Sequence, residues 1–244
     1  MRVGACPLIS VNAVARAHSA VVSSSGCGGS SLVLREADLR ELCTALDGGG
    51  LDLIVVPAVL PLTRYRRRLI GSEPVVLVEP GSGGAGDPGA SSALPAAGGV
   101  SDSPAVDVVE VEEVAHRILL LVPDTCGLTA FTRGLLSDRG LPLRAYSGEA
   151  ASYRVLEDWA GMGLGSALLP RSKVTSADSC VRTVVDADGA AVMIAYEAVW
   201  DAASPIAEEL EVLAGFLASG RAEGAGTGRG RVGGGSSQPV RHRI

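Results

Sequence analysis

Aromatic side chains, paired cysteines, lysines, excess basic charge and long apolar runs are all scarce in this chain. Aromatics supply 3% of the 244 residues, so a core has to be assembled from Val, Leu, Ile and Ala. The five cysteines (Cys6, Cys27, Cys43, Cys126 and Cys180) are odd in number and widely spaced, with no C-x-x-C pair. That pattern argues against a disulfide framework or structural zinc and fits a reducing cytoplasm. His18, His116 and His242 belong to no cluster with metal-ligand spacing, and there is no G-x-S-x-G elbow. Neither a metal, a cofactor nor a catalytic residue is therefore expected. No run approaches the roughly 20 apolar residues of a membrane helix. The opening MRVGACPLIS gives way to Asn12 and Arg16 instead of the apolar stretch of a leader, so export and a membrane partner are not expected. Lys and Arg total 21 against 27 Asp and Glu, for a net charge of −6. Such a chain has no general attraction to phosphate backbones, and direct nucleic-acid contact is not expected. The one basic cluster, Arg64 with Arg66, Arg67 and Arg68, reads as a solvated strand edge, with an anion or partner contact as the alternative.

What is present is apolar and alternating. Hydrophobic residues make up 47% of the chain and the mean hydropathy is +0.30, values of a globular protein. Strands are expected at Arg2–Cys6, Ser31–Arg35 and Leu51–Pro57, the last (LDLIVVP) apolar throughout, as a parallel strand covered on both faces would be. Helices are expected between them at Asn12–Val22 and Asp38–Leu46, the second ending at Gly48-Gly49-Gly50. Glu73–Pro80 (EPVVLVEP) reads as a further strand. Gly81–Ala105 is nearly all Gly, Ser, Ala, Pro and Asp, which reads as a mobile surface insertion. A second run follows, with strands at Arg117–Val122, Leu143–Tyr146 and Ala167–Leu169 and helices near Thr129–Asp138 and Glu149–Ala160. Asp186–Gly189 is a turn between strands Val181–Val185 and Ala191–Val199. Ser204-Pro205 opens a last helix reaching about Leu217, and 220–244 reads as a disordered tail. The fold class is α/β.

Gly161-x-Gly163-x-Gly165 invites a nucleotide-binding reading, but the dinucleotide fingerprint needs a strand before the glycines and a helix after them. Here a helix precedes and a strand follows, which is the order of a helix cap and a tight return.

The segments LDLIVVPAVLPL, EPVVLVEPG, GLTAFTRGLLSDRGLPLRAYSG and EDWAGMGLGSALLPRSKV together resemble the effector-binding domain of LysR-type transcriptional regulators. The resemblance covers about Arg2 to Leu217. It implies two βαβ-type lobes around a ligand cleft, as in type 2 periplasmic binding proteins, with the chain crossing between lobes twice. One lobe would combine 1–72 with 190–219, and the other would span 73–189 with its insertion at 81–105. It further implies small-molecule sensing, and pairing through the first helix and the helix after Pro123. Family members carry a winged helix-turn-helix before the first strand, whereas here that strand begins almost at Met1. The chain is thus expected to act on DNA indirectly, as a homodimer or bound to a regulator that has a DNA-binding domain.

Ligands of open α/β sheets gather beyond the carboxyl ends of strands, where helix N-termini favour a carboxylate or other anion. Two junctions carry suitable small polar residues, Pro7–Asn12 and Asp124–Thr129. Adding the walls that the resemblance implies, the candidate contacts are Ser10, Asn12, Pro57, Thr125, Thr129 and Ser147. Ser10 and Thr125 have an alternative role as helix caps. Cys6 and Cys126 lie beside these junctions, and a redox-sensitive pocket would require one of them to be exposed with a lowered pKa. Two other classes share the fold. A solute-binding protein for uptake would need export, and an enzyme such as a dehydratase or transferase would need a reactive pair in the cleft, for which Lys173 is the only lysine.

Overall fold

The computed structural model describes residues 1–9, 15, 19, 32–81, 107–177 and 179–219. The helix expected over Asn12–Val22, apart from Ala15 and Ser19, lies outside these residues, as do 82–106 and 220–244.

The chain is a mixed α/β fold. Its strands are β1 Arg2–Ala5, β2 Val33–Glu36, β3 Leu53–Pro57, β4 Arg66–Glu79, β5 Val108–Glu110, β6 Leu119–Leu121, β7 Ala145–Glu149, β8 Ala167–Pro170, β9 Cys180–Val185 and β10 Met193–Trp200. Its helices are α1 Leu39–Asp47, α2 Val111–Val114, α3 Leu128–Ser137, α4 Tyr153–Gly161 and α5 Ala207–Ser219, with 3-10 turns at Asp124–Cys126 and Arg171–Lys173. The main sheet runs β2-β1-β3-β10-β4-β9-β5, with β8 also on β4, and β6 and β7 form a parallel pair.

β3 is buried along its whole length, as its unbroken apolar run requires. It pairs parallel with β1 but antiparallel with β10, so only one of its edges has the expected parallel partner. The apolar pattern reports burial of both faces and carries no information about strand direction. β4 is also longer than expected, because it begins at Arg66, seven residues ahead of Glu73. Arg66, Arg67 and Arg68 are exposed there, and Arg66 pairs with Glu211 of α5 at 3.0 Å. This is the solvated strand edge expected of the arginine cluster, here continuous with the apolar strand that follows. β4 changes partners part-way: Arg66–Pro74 lie against β10, and Val75–Glu79 run between β8 and β9.

Local chemistry sets the helix starts. Asp38 accepts the Glu41 amide at 2.8 Å to open α1, and Ser152 accepts the Val155 amide at 3.3 Å to open α4. The stripe Leu39, Leu42 and Leu46 is buried beneath α1, and Leu210, Leu213, Ala214 and Leu217 beneath α5. β5 and α2 were not expected. They are short, and only Val109, Val111 and Val114 are buried between the exposed carboxylates Glu110, Glu112 and Glu113.

The three spaced glycines do separate jobs after α4. Nothing lies within 4 Å of a Cβ built on Gly161, the last residue of the helix. Gly163 turns the chain with φ +80°. A Cβ on Gly165 would lie 2.7 Å from the Ile118 carbonyl oxygen, which already accepts the Ser166 amide at 2.8 Å and cannot move aside. Gly165→Ala is therefore expected to cost about 2 kcal/mol through overpacking. Gly161→Ala should gain roughly 0.5 kcal/mol by stiffening the unfolded chain. Urea unfolding midpoints of the two variants check this, and a reversed order would contradict the close approach.

Candidate ligand-binding site

The carboxyl ends of β1, β3, β6 and β8 come together around one group of turns. The turn after β1 holds Cys6, Leu8 and Ile9 in the core. It is closed by the Ile9 amide on the Cys6 carbonyl at 2.9 Å. β3 ends at Pro57, which is buried. β6 leads through the 3-10 turn Asp124–Cys126 to Gly127, whose φ of +77° starts α3 without a side-chain cap. A Cβ on Gly127 would lie 2.7 Å from Pro57 Cγ and 3.7 Å from Leu39 Cδ2. The junction after β6 therefore lies directly against the end of β3, and only a residue without a Cβ lets it do so. α3 thus presents its first amides, with the positive end of its dipole, beside this contact.

Of the residues expected at the site, Ser10 and Asn12 lie outside the described residues. Pro57 and the Asp124–Thr129 junction are brought together, as described. Thr125 is half-buried in the 3-10 turn and does not cap α3. Thr129 is 1% exposed, and its hydroxyl donates to the Val122 carbonyl at 2.6 Å, tying α3 back to the end of β6. That bond turns its oxygen toward the protein's own backbone. Ser147 sits on β7 with its side chain exposed. Of the two thiols beside the junctions, Cys6 is 1% exposed, which removes the accessibility that redox reactivity needs. The side chain of Cys126 lies outside the described set.

Sequence reasoning did not anticipate a polar cluster at the end of β8. Lys173 Nζ donates to the Pro7 carbonyl at 2.8 Å and the Ile9 carbonyl at 3.1 Å, bridging the carboxyl ends of β8 and β1. Its neighbour Ser172 turns the other way. The Ser172 amide and hydroxyl donate to Glu73 of β4 at 2.8 and 2.9 Å. Tyr196 of β10 donates its hydroxyl to the same carboxylate at 2.7 Å. Burial, then the charge on Glu73, push the Tyr196 hydroxyl far above its ordinary value, so it remains a donor. Burial pulls the Lys173 ammonium below its ordinary value, while Glu73 and Glu36 work against that fall. These contacts span 99 to 166 residues of sequence, which is why no local pattern signals them. The one sequence cue is Lys173 being the chain's sole lysine.

Behind this cluster Glu157 of α4 is 1% exposed. It accepts the Thr175 amide at 2.9 Å, the Thr175 hydroxyl at 2.7 Å and the Ser176 amide at 2.7 Å. Burial disfavours its charge, but these donors together with Arg154 more than compensate, and the carboxylate is held below its usual range. No group of three or more His, Cys, Asp or Glu side chains among the described residues could hold a metal ion.

A family model for the LysR substrate binding domain matches residues 27–222. The chain belongs to this family. It is an effector-binding domain of LysR type, with the type 2 periplasmic-binding-protein-like fold of such regulatory domains. Solved structures similar to this LysR domain include OxyR from Corynebacterium glutamicum, a cysteine mutant with hydrogen peroxide bound, at 19% identity and a TM-score of 0.68 over 90% of this chain. The chain spans 64% of that protein's length. The reduced form of OxyR from N. meningitidis is 12% identical with a TM-score of 0.66, covering 92% of this chain and 96% of that one. The reduced OxyR regulatory domain of Pseudomonas aeruginosa is 18% identical with a TM-score of 0.62, covering 90% and 97%. At these identities the likeness is one of fold. No curated protein matches the chain. No helix among the described residues is long and apolar enough to cross a membrane.

Proposed function

We propose that this chain is the sensing unit of a LysR-type regulator, holding a small anionic metabolite between two lobes. The lobes are 1–72 with 190–219, and 73–189. The change of partners along β4 between Pro74 and Val75 supports this division. The observation that carries the function is the start of α3 lying against Pro57 without a side-chain cap, which sets a positive dipole end where two strand ends meet. The residues assigned to the site are Ser10, Pro57, Thr125 and Ser147, with Asn12 and Thr129 behind them, Thr129 holding the junction through its bond to Val122. Closure of the lobes on the ligand would then alter pairing with a second copy or with a DNA-binding regulator in the cytoplasm. This reading assigns no catalysis to the chain, in keeping with the regulatory domains it resembles.

Calorimetric titration of the chain against a panel of small metabolite anions tests the proposal. At least one should bind and raise the melting temperature, and Thr125→Val should weaken that ligand several-fold. A folded protein that binds nothing in the panel would sink it. Hydrogen peroxide belongs in the panel on one specific ground: Cys126 ends the 3-10 turn at this junction, and the Corynebacterium structure holds peroxide. A response to peroxide that Cys126→Ser abolishes would favour a thiol-based signal over a bound metabolite.

A further inference from the structure

We infer that Lys173 is the cation of the ligand site, and that it recognises a carboxylate in the space between the carboxyl ends of β1 and β8. The inference rests on the sensing function proposed above and names a contact outside the six residues already assigned to its wall.

Three observations carry it. The first is position. Lys173 follows the end of β8 through the 3-10 turn Arg171–Lys173, and its ammonium reaches the turn that follows β1. Both are strand carboxyl ends, where ligands of such sheets collect.

The second is charge. Lys173 is half-buried, yet no described carboxylate lies within 4 Å of it, although the chain forms arginine ion pairs throughout. The nearest candidate, Glu73, is bound by the adjacent residue, Ser172, and by Tyr196, so its oxygens are already engaged. Glu73 keeps its charge and acts on Lys173 through space, but its hydrogen bonds go to Ser172 and Tyr196, so among the described residues the half-buried ammonium has no carboxylate in direct contact.

The third is valence. The ammonium carries three N–H donors, and the two backbone carbonyls of Pro7 and Ile9 use two of them. The ring of Tyr153, at the start of α4, lies 6.0 Å from the nitrogen and forms part of its surroundings. Among the described residues no third acceptor is bonded to it, which leaves one donor for a ligand oxygen. The two carbonyls aim the ammonium, and the ligand supplies an anionic oxygen in direct contact with it.

The single lysine makes the test direct. The chain is labelled with 13Cε/15Nζ-lysine, so its NMR spectrum contains one side-chain signal, that of Lys173. It is titrated with benzoate, succinate and citrate, with benzamide and succinamide as neutral counterparts and chloride at matched ionic strength. The expected result is a saturable shift of the signal by at least one carboxylate and none by its amide. Lys173→Met should then weaken that carboxylate about tenfold to a hundredfold, the loss of one charge-assisted contact, while Lys173→Arg retains part of the affinity. A signal that no carboxylate moves overturns the inference. So does a Lys173→Met variant that melts lower but binds the carboxylate as tightly as the parent, since the lysine would then only brace the turn after β1. Melting shifts produced by the amides, with the lysine signal unmoved, overturn the inference while leaving the sensing function standing. Absence of any melting shift counts against both.

Discussion

Replacing Gly127 by alanine is expected to cost roughly 3 kcal/mol of stability, the sum of a left-handed backbone penalty and an overpacked contact. The residue has φ +77°, a conformation in which an L side chain crowds its own carbonyl. Its Cβ would also stand 2.7 Å from Pro57 Cγ. The pyrrolidine ring is tied to the backbone of β3 and cannot rotate away as a long side chain would. Relief has to come from a shift of the junction after β6, so the variant should lose ligand affinity as well as stability. Gly134, inside α3 with nothing within 4 Å of a built Cβ, is the control. Gly134→Ala should gain roughly 0.5–1 kcal/mol from helix propensity. Equal urea midpoints for Gly127→Ala and the parent protein would show that the junction does not lie against Pro57.

How much of this could be read from the residues follows from the range of the forces involved. Burial is local in its signature, so LDLIVVP announced β3 and the stripe Leu39, Leu42, Leu46 announced α1. The helix–glycine–strand order after Trp159 was equally legible, because a glycine cap and a close backbone approach leave Gly163 and Gly165 in place. Strand direction was not legible. β10 inserts between β3 and β4 from more than a hundred residues away, and no property of LDLIVVP depends on which strand lies beside it. The three successive arginines were legible as a strand edge, but their continuity with EPVVLVEP was not, because the charged and apolar halves of β4 pack against different partners. For the site, small polar residues at strand ends singled out two junctions, of which the one after β6 lies against Pro57, but not what each side chain does there. Thr129 is the clearest case, because its hydroxyl is spent on Val122. Glu157 was passed over for a related reason. On a helical wheel it is one more acidic residue near Asp158, and only the returning segment at Thr175 explains why it is buried.

That segment gives the second large effect. Glu157→Ala is expected to cost roughly 3 kcal/mol, because it strips the acceptor from the Thr175 and Ser176 amides and from the Thr175 hydroxyl in a buried setting. Glu157→Gln keeps one acceptor oxygen and should lose about half as much. The pH dependence separates charge from hydrogen bonding. The carboxylate's folded value is depressed, so the stability it contributes is present in full above its unfolded value of about 4.3 and is lost as pH falls through the lower folded value. The gap between the parent protein and Glu157→Gln should therefore be widest at neutral pH and shrink in acid below about pH 4. Glu79, which is also depressed through Arg182, titrates alike in both proteins and cancels from the difference. A gap that stays constant through the acid range would show that Glu157 acts without its charge. Since Thr175 lies only two residues beyond Lys173, Glu157→Ala should also broaden or displace the single lysine signal. Stability and ligand recognition would then meet in one short stretch, with a buried carboxylate on α4 fixing the backbone from which the lysine reaches the turn after β1.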